Sequence, residues 1–277
     1  MKFTKMHGCG NDYVYVNCFT EKVENPGEVS KKISDRHFGI GSDGLILICP
    51  SSIADFRMKM YNSDGSEGAM CGNGVRCIAK YVYDYGLTDK TFISLETKAG
   101  IKYLDLTVEN GKVAMVKVDM GAPITKPADI PAISDKDIII DEPIVVDGDE
   151  YRITCVSMGN PHGVVFVDDT DSIEIEKLGP KFEHHEMFPD RVNTEFIQVI
   201  DRGHIKMRVW ERGAGETLAC GTGTCASVYA CILNGLTDKS VDVEVLGGTI
   251  HIDYDEEKHT IFMTGPAAVA FDGEIDL

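Results

Sequence analysis

The sequence lacks several features that would place the protein in a membrane or an oxidising compartment. It contains no uninterrupted apolar run of about 18 residues, the length that indicates a transmembrane helix. The first segment, MKFTKMHGCGNDYVYVN, has no apolar stretch followed by a small-residue cleavage site, so we expect no secretory signal. The nine cysteines are an odd number, and no two of them form a Cys-x-x-Cys motif. We therefore expect reduced thiols and a cytoplasmic protein.

Positive charge is also scarce in this chain. Lysine and arginine total 27 against 45 aspartate and glutamate residues, which gives a net charge of −18. Because an acidic surface does not attract phosphate backbones or anionic lipids, we expect neither nucleic acid nor a membrane as a partner. With 277 residues, of which 43% are hydrophobic, the chain is long enough for one large domain or two ordinary ones.

A local pattern that occurs twice dominates the rest of the sequence. Cys71 in AMCGNGVRC (69–77) and Cys220 in ACGTGTCAS (219–227) are 149 positions apart. With the same separation, GLTDK recurs at 86–90 and 235–239, and FRMKMYN (56–62) matches IKMRVWE (205–211). A chance match of all three in one register is very improbable. The chain therefore reads as two copies of one unit.

Each copy reads as strands, one helix and further strands. The helix candidates run from Asn73 to Gly86 and from Thr222 to Gly235, because glycine commonly follows a helix end. The first helix candidate has a stripe of apolar residues with helical spacing. The second is apolar nearly all round, as expected for a helix enclosed by sheet. That stripe consists of Val75, Ile78, Ala79 and Val82.

The remaining segments indicate short β-strands. Asn110-Gly111 predicts the tight turn of a hairpin. The acidic segment 130–150 either joins the two halves or decorates the second, and we expect a solvated loop and strand there. The predicted fold class is α+β with two pseudo-symmetric lobes. We assign 1–119, with 266–277 returning to it, to the N-terminal lobe and 120–265 to the C-terminal lobe, and we expect the active site in a cleft between them.

Two cysteines in matching places at helix N-termini indicate a specific chemistry. Unpaired backbone N–H groups there create positive potential, which favours thiolate over thiol and holds an anion such as a carboxylate. If both N-termini faced one cleft, Cys71 and Cys220 would lie on opposite sides of a substrate α-carbon. That arrangement suits removal of a proton from one face and its return on the other.

Structural roles are the ordinary interpretation of most of these residue types. Either cysteine taken alone would more commonly be a buried apolar residue, and only the repeat reverses this for the pair. Asn62 fits a turn as well as a binding role. The other cysteines are interpreted as small buried hydrophobic residues. They are Cys9, Cys18, Cys49, Cys77, Cys155, Cys225 and Cys231.

Four segments, taken together and in order, closely resemble the diaminopimelate epimerase family. They are HGCGNDYV (7–14), MYNSDGSEGAMCGNGVRC (60–77), MGNPH (158–162) and ERGAGETLACGTGTCAS (211–227). The resemblance implies interconversion of LL- and meso-2,6-diaminopimelate, a precursor of lysine and peptidoglycan, without pyridoxal phosphate or metal. It also implies a homodimer and two similar lobes, each a sheet or barrel wrapped around a central helix.

The resemblance also implies roles for individual residues. Cys71 and Cys220 would be the acid/base pair, with His162 and Glu211 adjusting their ionisation. Backbone donors for the reacting carboxylate would come from Gly72, Asn73, Gly221 and Thr222. The rest of the substrate would be bound by Asn11, Asn62, Asn160, Asn193, Glu211 and Arg212. Gly44 stands where some members carry glutamine, so that side-chain contact would be lost or replaced by backbone.

Three other interpretations share parts of this pattern. A proline racemase-type enzyme would also carry paired cysteines, but Glu211-Arg212 suits a long dicarboxylate zwitterion better than a cyclic imino acid. A phenazine-biosynthesis relative would lack the cysteine pair. A thiol redox switch or metal-binding protein is disfavoured, because the sequence has no clustered ligand set and no resolving Cys-x-x-Cys.

Overall fold

The computed structural model describes residues 1–277 and confirms the predicted α+β class, with many strands and few helices. The chain forms two compact units, one of Met1–Asp119 with Thr264–Leu277 and one of Met120–Met263. The α-helices are α1 (Pro26–Ser34), α2 (Gly72–Asp84), α3 (Ile175–Glu183) and α4 (Gly221–Leu233). The strands are β1 (Lys2–Gly8), β2 (Asn11–Asn17), β3 (Gly44–Cys49), β4 (Phe56–Asn62), β5 (Glu67–Gly68), β6 (Phe92–Thr97), β7 (Gly100–Glu109), β8 (Lys112–Gly121), β9 (Glu142–Val146), β10 (Asp149–Ser157), β11 (Pro161–Phe166), β12 (Asn193–Asp201), β13 (His204–Glu211), β14 (Gly215–Thr217), β15 (Ser240–Val245), β16 (Gly248–Asp255), β17 (Thr260–Gly265) and β18 (Ala268–Glu274).

Strand pairing follows the same order in the two units. In the first, β1 is antiparallel to β18 and β2, β2 is parallel to β3, and β3 is antiparallel to β4. β4 then pairs in parallel with β6, which is antiparallel to β7. The second unit repeats this succession of antiparallel and parallel pairs with its strands β9, β10, β11, β12, β13, β15 and β16. Corresponding strands therefore have corresponding neighbours in the two units.

The two central helices have the same length and register. α2 and α4 each have 13 residues, and they begin at Gly72 and Gly221, one residue before the predicted starts. Both end before a glycine with positive φ, +75° at Gly86 and +70° at Gly235, as predicted. The predicted stripe of α2 is fully buried, and most of α4 is buried as well. None of the four helices has the length and apolar character needed to cross a membrane.

Two local predictions have different outcomes. Asn110 and Gly111 both have positive φ and connect β7 to β8, which confirms the hairpin turn. The segment 130–150 is not simply a solvated loop. Ile130, Ile139 and Ile144 are buried in the core cluster of the second unit, whereas most of the acidic residues of the segment are exposed.

Candidate active site

The thiol of Cys71 lies at the N-terminus of α2. Cys71 is the N-cap residue, and its Sγ accepts a hydrogen bond from the backbone N–H of Gly74 at 3.4 Å. The thiol donates to Oδ1 of Asn11, the first residue of β2, at 3.2 Å. The N–H groups of Gly72 and Asn73 belong to the first turn of α2, at the positive end of the helix dipole. A partly exposed thiol therefore stands beside donors suited to a carboxylate.

Asn11 is held in one orientation by a carboxylate. Oδ2 of Asp43 accepts hydrogen bonds from Nδ2 of Asn11 at 2.7 Å and from the backbone N–H of Asp12 at 3.0 Å. Arg36 donates to both aspartates, at 2.8 Å to Asp12 and 3.0 Å to Asp43. Burial, followed by the charge of Asp12, raises the pKa of Asp43. Because Nδ2 of Asn11 is engaged by Asp43, its Oδ1 faces Cys71.

The side chain of Asn73 is anchored by a buried guanidinium. Nδ2 of Asn73 donates to Oδ1 of Asn11 at 3.3 Å, and its Oδ1 accepts from Arg76 at 2.9 Å. Arg76 is completely buried, and its Nε donates to the carbonyl of Pro266 at 3.2 Å. These bonds fix the first turn of α2 against the N-terminal strands.

The thiol of Cys220 has the corresponding position in the second unit. Cys220 is the N-cap of α4, and its Sγ accepts from the backbone N–H of Gly223 at 3.4 Å, as Cys71 does from Gly74. The hydroxyl of Thr222 lies 3.5 Å from Sγ, so Thr222 contributes a side-chain contact as well as a backbone group next to Gly221. A side chain at position 223 would displace Glu195 or Cys220, because a Cβ there would lie 2.7 Å from Oε1 of Glu195 and 3.2 Å from Sγ of Cys220.

Burial distinguishes Cys220 from Cys71. Cys220 is only 5% exposed, and burial, followed by the negative charges of Glu211 and Glu195, raises its pKa well above the usual value. Hydrogen bonds from Thr222 and Gly223 oppose this effect. The expectation that the helix N-terminus favours thiolate is therefore wrong for Cys220. Desolvation and two carboxylates outweigh the helix, and the group is a thiol.

Glu211 is the carboxylate whose charge acts most strongly on Cys220. It is the last residue of β13, and its Oε1 accepts from the hydroxyl of Thr217 at 2.5 Å. Burial raises the pKa of Glu211, against the effects of Thr217 and Cys220. A carboxyl group and a thiol therefore lie together in one buried site.

His162 is the centre of a buried polar chain in the same unit. Its Nδ1 lies 2.7 Å from Oε1 of Glu195 and its Nε2 lies 3.0 Å from Oδ1 of Asn160. His162 and Glu195 are both 0% exposed, and Oε2 of Glu195 has no hydrogen-bond partner. The imidazole of His162 therefore links Glu195 to Asn160 in one buried unit.

Asn193 and Arg212 form a second pair in this unit. Oδ1 of Asn193 accepts from the backbone N–H of Arg212 at 2.8 Å, and its Nδ2 donates to the carbonyl of Pro161 at 3.1 Å. The guanidinium of Arg212 donates through Nη1 to the carbonyl of Asp190 at 2.8 Å. Asn193 thus positions the loop after β13 that carries Arg212.

Asn62 and Gly44 have roles in the backbone of the first unit. Nδ2 of Asn62 donates to the hydroxyl of Ser66 at 3.0 Å, and the backbone N–H of Asn62 donates to the carbonyl of Ser66. These contacts are those of a residue that stabilises a turn. Gly44 pairs with Asn62 between β3 and β4. A Cβ at Gly44 would lie 2.1 Å from the carbonyl oxygen of Tyr61, so this backbone accepts no side chain there.

Sequence reasoning did not identify three residues that support these sites. Asp43, Arg76 and Glu195 contact Asn11, Asn73 and His162, respectively. One signal was available for Glu195. It lies between Thr194 and Phe196 in a strand whose residues are buried on both faces, where an unpaired carboxylate would be costly.

The chain is similar to known proteins over nearly its whole length. The family model described as diaminopimelate epimerase matches residues 3–126 and 154–270. Curated relatives named diaminopimelate epimerase include those of Acetivibrio thermocellus, 61% identical over 277 residues, and Agathobacter rectalis, 63% identical over 284 residues. The alignments cover 100% of this chain and 99% and 100% of those proteins.

Solved structures share the fold at low sequence identity. A phenazine biosynthesis protein of the PhzF family from Bacillus anthracis superimposes with a TM-score of 0.73 at 20% identity, covering 100% of this chain and 99% of that one. A probable proline racemase from Agrobacterium radiobacter K84 has a TM-score of 0.74 at 14% identity, covering 100% and 93%. These likenesses concern the fold alone. Full-length identity and the family model show that the chain belongs to the diaminopimelate epimerase family.

Proposed function

We propose that this protein interconverts LL- and meso-2,6-diaminopimelate without a cofactor, with Cys71 and Cys220 as the acid and base. The observation that carries the proposal is the equivalence of the two thiols. Each is the N-cap of a 13-residue helix, and each accepts a hydrogen bond from the glycine three residues later at 3.4 Å. The names of the curated relatives supply the substrate.

The chemistry requires one thiolate and one thiol in each turnover. The thiolate removes the α-proton from one face of the substrate carbon, and the thiol donates its proton to the opposite face. The first sulfur ends as a thiol and the second as a thiolate, so protons and charge balance. Two sulfur groups suit this exchange because inversion must run in both directions between diastereomers of similar energy.

Glu211 is the proton acceptor that prepares Cys220. In the ligand-free protein Cys220 holds its proton, because burial and the charge of Glu211 raise its pKa. Cys220 can therefore act directly as the acid. It acts as the base after its proton has moved to Glu211, whose pKa is raised by burial. His162, which is hydrogen bonded to Glu195, belongs to the surroundings that lower the pKa of Glu211 against its burial.

Backbone donors stabilise the charge that develops on the substrate. Proton removal moves negative charge from the α-carbon into the neighbouring carboxylate, and N–H groups at a helix N-terminus are strongest for such an anion. We assign this role to Gly72, Asn73, Gly221 and Thr222. Each is at the first or second helical position after its cysteine.

The distal end of the substrate is a second amino acid group. We assign its carboxylate to the guanidinium of Arg212, which is charged at all relevant pH values and presents donors in a planar fork. Asn193 holds the backbone of Arg212 through a 2.8 Å hydrogen bond. Asn11, Asn62, Asn160 and Glu211 complete the proposed polar contacts with the substrate.

We extend the proposal to the assembly and location of the enzyme. Two lobes, 1–119 with 266–277 and 120–265, each supply one thiol. The resemblance to the family supports a cytoplasmic homodimer, and the net charge of −18 argues against nucleic acid as a partner. Sedimentation of the purified protein tests the dimer.

The direct test is proton NMR of LL-diaminopimelate with the reduced protein in D₂O and no added cofactor. Loss of the α-proton signal together with growth of the meso isomer is the expected result. Proline serves as the control substrate and should keep its α-proton. If proline exchanged and diaminopimelate did not, the assignment to a dicarboxylate zwitterion would be wrong. If neither exchanged, the paired cysteines would serve another purpose.

A further inference from the structure

A second pair of cysteines lies at the opposite end of β2 from Asn11. Cys18 directly follows β2 and Cys49 ends β3, and these parallel strands pair Asn17 with Ile48. The N–H of Cys18 donates to the carbonyl of Ile48 at 2.9 Å, which continues the ladder by one residue. Cys18 and Cys49 are therefore neighbours on adjacent strands.

The interpretation of these two residues as buried hydrophobic side chains holds only in part. Both are partly exposed and lie at the edge of the core cluster of the first unit, and their thiol groups are hydrogen bonded to each other. Adjacent strands are about 4.8 Å apart, which lies within the Cα separation of about 4.4–6.8 Å that a disulfide requires. The backbone thus brings two accessible sulfurs within bonding reach.

The charges around the pair distinguish its two members. Arg57 is directly opposite Cys49 between β3 and β4, and Lys59 lies two residues further along. The hydrogen bond from Cys18 and the charges of Lys59 and Arg57 lower the pKa of Cys49 to about 7 in spite of its burial. The same hydrogen bond, burial and the nearby Glu21 raise the pKa of Cys18. Cys49 is the more nucleophilic sulfur at neutral pH, and Cys18 keeps its proton.

We propose that Cys49 and Cys18 form a thiol-modification site, separate from the epimerase cysteines, that reacts with small-molecule disulfides. The Cys49 thiolate attacks one sulfur of the disulfide RSSR, forms a mixed disulfide and releases RS⁻. Cys18 then attacks the Cys49 sulfur and releases the second RS⁻, which takes the proton of Cys18. Two electrons pass from the protein to RSSR, which leaves a Cys18–Cys49 disulfide, one RS⁻ and one RSH.

The test uses the reduced full-length protein and glutathione disulfide, followed by digestion with trypsin without reduction. The expected product links peptide 6–22 to peptide 37–57. Peptide 6–22 also contains Cys9, so fragmentation must assign the link to Cys18. A link through Cys9, or a glutathione adduct on Cys49 with no link, would show that the two cysteines do not act as a pair. Absence of both link and adduct would overturn the site altogether.

Two variants separate the roles of the sulfurs. In Cys18→Ala, glutathione should remain attached to Cys49, because the resolving thiol is gone. Alkylation of Cys49 by iodoacetamide at pH 7 should also slow about threefold, since a lower thiolate fraction outweighs a higher intrinsic nucleophilicity. In Cys49→Ala, Cys18 should stay unmodified. Equal labelling of Cys18 and Cys49 in the native protein would contradict the assignment. Circular dichroism checks that both variants are folded, and peptide mapping of the native protein decides the matter if either is not.

Discussion

The N-termini of α2 and α4 have the same backbone arrangement but different electrostatic surroundings. Both begin after a cysteine cap with the same hydrogen bond to a glycine N–H. Cys71 is partly exposed and donates to the neutral amide of Asn11, whereas Cys220 is buried beside the carboxylate of Glu211. The difference shows that the helix N-terminus places a thiol without setting its protonation state. Protonation depends on the residues contributed by neighbouring strands.

Removing either sulfur is the largest perturbation of this comparison. Cys71→Ser and Cys220→Ser should each lower the epimerisation rate by about 10³-fold or more, because a hydroxyl is a much weaker acid than a thiol and one face loses its proton carrier. NMR of each diaminopimelate isomer in D₂O measures the rate. Cys49→Ala is the matched control and should epimerise at the native rate. A single serine variant with native activity would refute the two-base scheme.

Substitution of Glu211 tests whether the function of Cys220, the cap of α4, depends on the neighbouring carboxylate. Position 211 corresponds to Asn62 in the first unit at the separation of 149 residues. Glu211→Gln should lower kcat by about 10²-fold, because Cys220 loses its proton acceptor. Asn62→Ala should lower it less than about tenfold, since the Asn62 side chain supports a turn through Ser66. Steady-state kinetics with both isomers separates the two. Equal losses would mean that the units are more alike than their contacts indicate.

The same variant should change the pKa of Cys220 in a defined direction. Among the charges that raise this pKa Glu211 has the largest effect, so its neutralisation in Glu211→Gln should shift Cys220 alkylation to lower pH. Glu195→Gln should shift it in the same direction by less. A shift to higher pH would show that the carboxylates do not govern the thiol.

Substitution of Asp43 should have the smallest effect on activity, and it acts only on the first unit through Asn11. Asp43→Ala removes the acceptor of Nδ2 of Asn11, so the amide that faces Cys71 is free to rotate. We expect kcat/KM to fall about tenfold, in the range of one lost hydrogen bond to a charged group. Arg36→Ala is the control, because it breaks the ion pairs and keeps the bond between Asp43 and Asn11. Similar losses of kcat/KM in both variants would indicate that the local structure around Asp43 is disturbed in general, and not the orientation of Asn11 alone.

Sequence patterns predicted the class of the fold and the positions of the two caps. Local signals located α2 and α4 to within one residue at their starts, namely the glycines at both ends and, for α2, a buried stripe. The sequence did not indicate that Cys220 would be a buried thiol. That outcome depends on the burial of the N-terminus of α4 and on the carboxylates of Glu211 and Glu195.

Support residues were missed for a related reason. Asp43 reaches Asn11 because β2 and β3 are parallel neighbours, a pairing that no short motif encodes. The partial exposure of Cys18 and Cys49 was missed because it follows from their place at the ends of those two strands. Residues that act across a sheet are therefore harder to recognise than residues that cap a helix.

The close approach of Gly44 to Tyr61 has a consequence for the substitutions that this chain can accept. A Cβ at position 44 would lie 2.1 Å from the carbonyl oxygen of Tyr61. Acquisition of a side chain at this position would first require β3 and β4 to separate. A substitution intended to add a binding group at position 44 would therefore first cost the protein a strand pairing.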